Sequence, residues 1–142
     1  MSDADDLRSR REAVVRTHME AENRHDYDAV LATFAHPRYE LMATGQVFDG
    51  EAEVRRYFEV SRTPFPDQRN ELVSLRSTDD AVVVELDLLG THDGPLRGIE
   101  PTGRSFRSRM CALFIFEDGG DGITCERVYF DSGDILRQLG LT

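Results

Sequence analysis

Glu100-Pro-Thr-Gly-Arg104 opens the stretch that decides the fold. It is followed by Ser105-Phe-Arg-Ser-Arg-Met-Cys-Ala-Leu-Phe-Ile-Phe-Glu117, in which apolar side chains alternate. A glycine turn, Asp118-Gly-Gly-Asp-Gly122, leads into a second run ending Val128-Tyr-Phe-Asp131, and Ile135-Leu-Arg-Gln-Leu-Gly140 closes the chain. Two long strands joined by a tight turn predict a curved antiparallel hairpin sealed by a short terminal helix. Both faces of the first strand are apolar. Met110, Ala112, Phe114 and Phe116 point one way, and Cys111, Leu113 and Ile115 the other. One row can cover helices and a pocket. The other needs a second cover, which predicts a homodimer through that face.

Upstream, helices come first and strands later. A helix is expected from Asp5 to Asn23, with Leu7, Val14, Val15, His18 and Ala21 along one face. Asp26 reads as the N-cap of a second helix carrying Tyr27, Val30, Leu31 and Phe34, and His36-Pro37 stops it. A short strand over 39–44, a third helix from about Gly50 to Pro64, and strands over 69–77 and 81–91 follow, with a turn at Thr78-Asp79-Asp80. This order argues an α+β fold with the helices gathered on one face of the sheet. Residues 1–142 read as a single domain, with 1–5 expected to lack order.

Composition narrows the partners. The net charge is −10, and every cation is arginine. An acidic chain without a basic stripe repels phosphate backbones, so nucleic acid is not an expected partner. No apolar run approaches the ~20 residues that cross a bilayer, and the acidic Met1-Ser-Asp-Ala-Asp-Asp6 start is unlike a signal peptide, so a cytoplasmic location without membrane contact is expected. Centring the hairpin turn on Gly120 leaves Cys111 and Cys125 out of register, reading as reduced thiols, and makes Ala112 and Val128 cross-strand neighbours.

Gly90-Thr-His-Asp-Gly94, Pro101-Thr-Gly-Arg104, Tyr129-Phe-Asp131 and Leu136-Arg-Gln-Leu-Gly140 together resemble the SnoaL-like polyketide cyclases of the nuclear-transport-factor-2-like superfamily. That resemblance implies a cone-shaped curved antiparallel sheet, a cystatin-like roll, with the N-terminal helices on its concave face. It also implies a buried pocket, dimerisation through the convex face, and acid/base chemistry without a cofactor. Carried over by position, the aspartate of the aldol cyclases falls at Val128 and their pocket histidine at Ala112. The general base of the related ketosteroid isomerases falls near Met42, and their oxyanion tyrosine near His18.

The candidate catalytic residues are therefore Asp131 and His18. Asp131 reads either as a pocket-wall base or as the cap of the terminal helix, and His18 either as a hydrogen-bond donor or as a core residue. Met42, Phe58, Met110, Ala112, Phe114 and Val128 are the expected pocket lining, with His92 and Arg104 flanking a loop at its rim. His18, Glu22 and His25 share a helix face, but three ligands on one helix cannot readily surround an ion, so no metal is expected. Glu85 and Asp87 read as an exposed strand face. The function expected is a cofactor-independent cyclase- or isomerase-type enzyme acting on a small hydrophobic carbonyl or polyketide-like compound. The alternative is a non-catalytic hydrophobic-ligand binder or accessory protein of the same fold.

Overall fold

A computed structural model describes residues 2–142. Helix α1 spans Asp3–Asn23; Ser2 caps it by accepting from the Asp5 amide, and Asp3, Asp5 and Asp6 sit at its positive end. Part of the stretch expected to lack order is thus the first helical turn, and Met1 lies outside the described residues. Helix α2 (Tyr27–Leu31) is capped by Asp26. Strands β1 (Arg38–Leu41) and β2 (Gln46–Asp49) follow, joined by a turn at whose end Gly45 takes a φ of 75°. Helix α3 (Glu51–Arg62) carries Glu51 and Glu53 in its first turn and Arg62 in its last, matching its dipole at both ends. Then come β3 (Arg69–Ser77), β4 (Ala81–Thr91), β5 (Ser105–Phe116), β6 (Ile123–Tyr129) and α4 (Ser132–Gln138).

The strands form one six-stranded sheet in the order β2-β1-β6-β5-β4-β3. This corrects the expected cone. The sheet is open and not strongly curled, because β2 and β3 end it without pairing to each other. Nor is it wholly antiparallel, since β1 runs parallel to β6 and places Leu41 beside Val128. The α+β class stands. Strand β2 has no signature in the sequence, because Gln46-Val-Phe-Asp49 is too short to display a period, and its hydrogen bonds come from β1.

The expected hairpin register is present, with Ala112 opposite Val128 and Cys111 opposite Tyr129, and both cysteines are free. Phe114, Phe116, Val82, Val84, Tyr39 and Val128 are buried together with Val15, Met19, Val54 and Phe58 from the helices. A smaller cluster of Phe65, Phe106, Ile135 and Leu139 closes the other end. Alternation along β5 therefore divides as anticipated, with Cys111, Leu113 and Ile115 half-buried on the outer face.

Arg11 ties α1 to the strand turns. Its guanidinium donates to the carbonyls of Gly120 (2.7 Å), Asp79 (3.1 Å) and Glu117 (2.9 Å), and lies over the Phe116 ring. Three carbonyls that face no strand partner are satisfied by one cation. The Glu117 carbonyl also accepts from the Gly120 amide, so Arg11→Met should leave the Gly120 and Asp79 carbonyls unpaired and lower stability by about 3 kcal/mol, read as a reduced urea midpoint with unchanged slope.

Candidate active site

Between the sheet and helices α1 and α3 lies a cavity of about 490 Å³. Its wall is mostly apolar: Met19, Leu41, Phe48, Tyr57, Leu86 and Phe114 contribute at one end, and Phe65, Phe106, Phe130 and Ile135 at the other. A volume of this order suits a small organic molecule. Two carboxylates interrupt the apolar wall, Glu22 from α1 and Glu126 from β6.

Glu126 stands on β6 two residues before Val128, so strand alternation points both to the same face. It is 5% exposed. Behind it sits His18, wholly buried and edge-on to Phe34 and Phe114. The His18 Nε2 atom lies 2.7 Å from Glu126 Oε1, 3.0 Å from Glu22 Oε1 and 3.2 Å from the Tyr39 hydroxyl. Despite its closeness, Glu126 Oε1 is off the donor axis and has no aligned hydrogen bond. The contact is an ion pair whose geometry leaves acceptor capacity unused.

The far side of the imidazole is fixed. Nδ1 is 2.8 Å from the Thr33 hydroxyl, which itself donates to the Val30 carbonyl at 2.6 Å. Since that hydroxyl hydrogen is already committed, the remaining lone pair accepts from Nδ1–H. Arg62 completes the group, donating to Glu22 Oε2 at 3.3 Å and lying over the rings of Tyr27, Tyr57 and Phe58.

These neighbours set the protonation states. Burial alone would push the His18 pKa down, but Glu22 and Glu126 outweigh it and raise it to about 10, so the ring is an imidazolium at neutral pH. For Glu22, burial favours the neutral acid, yet His18 and Arg62 together hold its pKa below the usual carboxylate range. Glu126 goes the other way. Burial first, then the Glu22 charge, lift it to about 7, with His18 and Arg62 only partly opposing. A carboxyl on an apolar wall thus titrates near neutrality. The ligand atoms of His18, Glu22 and Glu126 lie within 4.8 Å of one another, a spacing that a cation could bridge. Protonated His18 and Arg62 already balance both carboxylates, so the charges require no metal. His25 is outside this group and contacts the Gln68 carbonyl at 2.7 Å.

Of the residues singled out from sequence, Met110, Ala112, Phe114 and Val128 line the cavity. Four do not. Met42 is 48% exposed beyond the end of β1, and Phe58 is buried in the core, where it stacks on Tyr27. His92 is buried with its Nδ1 bonded to Thr102, and Arg104 is exposed beside Gly140. Asp131 and His18 do not meet in one cavity. Asp131 is exposed and caps α4, accepting from the Asp134 amide at 3.0 Å, which corrects its placement at a pocket wall. Glu85 and Asp87 pair with Arg76, Arg107 and Arg109 on the outer face. Sequence reading passed over Glu126. The available signal was a lone acid at an inward position of a strand, two residues from Val128.

The family model of the SnoaL-like polyketide cyclases matches residues 12–139. The chain belongs to this family. Solved structures agree in fold. A SnoaL-like protein from Jannaschia sp. CCS1, described as a candidate polyketide cyclase, superposes with a TM-score of 0.82 at 20% identity, covering 94% of each chain. IdmH from Streptomyces antibioticus, another candidate polyketide cyclase, gives 0.78 at 24% identity over 92% of this chain and 98% of its own. A phenazine biosynthesis-related protein from Pseudomonas aeruginosa gives 0.78 at 21% identity over 99% and 91%. No curated protein matches the chain. This SnoaL-like chain has, among its described residues, no helix long and apolar enough to cross a membrane.

Raised pKa values in the folded state mean that it holds protons more tightly than the unfolded chain, so stability falls as pH rises through each window. For Glu126 the window runs from 4.5 to about 7. For His18 it runs from 6.5 to about 10. Urea midpoints should therefore decline between neutral pH and about 10 in the parent protein. His18→Gln should be less stable at neutral pH and lose most of that decline.

Proposed function

We propose that this SnoaL-like protein is a cofactor-independent enzyme that moves a proton on a small apolar carbonyl compound held in the cavity. Glu126 is its base, and His18 positions it. The observation that carries this reading is the Glu126 carboxyl, buried on an apolar wall with its pKa lifted to about 7. In its ionised form Glu126 removes a proton from the carbon beside the carbonyl, and the C–H electron pair becomes the C=C bond of an enolate. Reprotonation or attack of that carbon on a second carbonyl completes an isomerisation or an aldol cyclisation. Imidazolium His18, held by Thr33 and Glu22, keeps the carboxylate from rotating away. Asp131 has no part in this step, because its carboxylate is committed to the α4 cap.

A second reading is a ligand binder that performs no chemistry. It is favoured by Ala112 and Val128, neighbours on the cavity wall where the family resemblance leads one to expect a histidine and an aspartate. Deuterium exchange at the α-carbon of 2-tetralone, followed by NMR, separates the two. Catalysis predicts a buffer-corrected rate that rises with pH to a plateau above about 7. It also predicts a loss of roughly 10²-fold or more in Glu126→Gln. Asp131→Asn should retain the rate while losing on the order of 1 kcal/mol of stability. Binding of 2-tetralone without accelerated exchange would leave the binder reading in place.

We also propose a homodimer through the outer face around Leu113. Cys111, Leu113 and Ile115 form an apolar row there, edged by Arg107 and Arg109. Sedimentation equilibrium at micromolar concentration should give twice the chain mass, and Leu113→Asp should halve it. A monomer in both would refute the dimer.

A further inference from the structure

The wall of the cavity is charged unlike the rest of the molecule. The chain as a whole carries −10. The cavity is lined by three arginines, Arg62, Arg69 and Arg97, against two acids, Glu22 and Glu126, a balance of 3 − 2 = +1 with both acids ionised. Arg62 is neutralised by Glu22, and Arg69 by Asp67 at 3.5 Å, whose carboxylate the Thr91 amide and hydroxyl help to keep ionised. Among the described residues, the Arg97 guanidinium has no hydrogen bond or ion pair. Its side chain is exposed.

Arg97 is also held against its own backbone preference. Leu96 and Ile99 exchange both backbone hydrogen bonds, at 3.0 and 2.8 Å, closing a two-residue turn over Arg97 and Gly98. Both central residues have positive φ, 48° and 80°. Glycine, asparagine and aspartate suit such a turn, whereas a long side chain is strained in it. The turn cannot drift from the cavity, because the Asp93 and Gly94 amides both donate to the Pro64 carbonyl at the end of α3. A Cβ at Gly94 would fall 2.0 Å from the Thr63 carbonyl oxygen, so only glycine allows this approach. A strained, unpaired cation on an anchored loop beside an apolar cavity calls for a ligand-side explanation.

We propose that the natural ligand is an apolar carboxylic acid whose carboxylate docks on Arg97, while its uncharged end reaches Glu126. This rests on the cavity being the substrate site, as proposed above. The two polar stations lie toward opposite ends of β5. Glu126 pairs with Phe114, whereas the loop bearing Arg97 springs from Thr91, paired with Ser105. An anionic group at Arg97 therefore keeps its charge away from Glu126 and orients the molecule in one sense. In a protein of net negative charge, a local cationic rim also offsets the general repulsion of an anionic ligand.

The test compares 2-naphthoate with its methyl ester by titration calorimetry at low ionic strength. The parent protein should bind the acid about tenfold more tightly than the ester, a preference that added salt reduces. Arg97→Gln should remove most of that preference and leave ester affinity unchanged, while Arg97→Lys keeps part of it. Arg97→Gly supplies a second readout. It should lose the preference yet unfold at higher urea, since glycine relieves the positive φ. Equal affinities in the parent, no binding of either probe, or a preference surviving in Arg97→Gln would overturn the inference. Ala112→Trp separates the two levels. If it blocks both probes but Arg97→Gln has no effect, only the carboxylate assignment falls. If it blocks neither, the cavity itself is not the binding site and both proposals fall.

Discussion

Burial of the ion group formed by Glu126, His18, Glu22 and Arg62 between sheet and helices is the constraint on which the rest of this structure depends. Four ionisable side chains removed from water are costly unless each finds compensation. Here compensation comes from three separate elements, α1, α3 and β6, and from the Thr33 hydroxyl after α2. Such a group fixes how those elements dock, since a shift of either helix would strand a charge. It also explains an otherwise odd α1, which places a histidine and a glutamate on the stripe where Val15 and Met19 enter the core.

The same burial sets the protonation states. Three of the four groups are held in their charged forms by their partners, and the remaining one, Glu126, absorbs the mismatch. Its Oε1 is near His18 but misaligned, and its neighbours on the cavity side are Leu41, Phe114 and Val128. A carboxyl in that position is less solvated than one in water and more basic in consequence. The SnoaL-like frame thus holds an acid on a wall that is otherwise apolar, two residues from the valine that occupies the expected aspartate position.

Sheet topology decides where the cavity lies. Because β1 joins β6 in parallel and β2 folds back on β1, the sheet is extended on the far side of β6 instead of rolling round to meet β3. Helix α3 covers β1 and β2, α1 covers β3 and β4, and the space left between them over β5 and β6 is the cavity. The segment after α3, the start of β5 and helix α4 close its other end, through Phe65, Phe106 and Ile135.

Local, periodic features were legible in the chain before folding is considered. Alternation in β5 assigned its two faces, the turn centred on Gly120 set Ala112 opposite Val128, and Asp26 marked the start of α2, because each of these rests on neighbours in the chain. The same logic placed Met110, Ala112, Phe114 and Val128 on the cavity wall. The end of α2 did not follow, since the helix stops at Leu31 and leaves Phe34 to bridge Ile123, well before His36-Pro37. Only the tertiary structure decided that the sheet stays open, that β2 exists, and that Glu126 meets His18 across more than a hundred residues of chain. Asp131 shows the limit most plainly. Its place between strand and helix suits both a site and a cap, and sequence cannot separate them, because the distinction lies in which way one carboxylate turns and what has already claimed its oxygens.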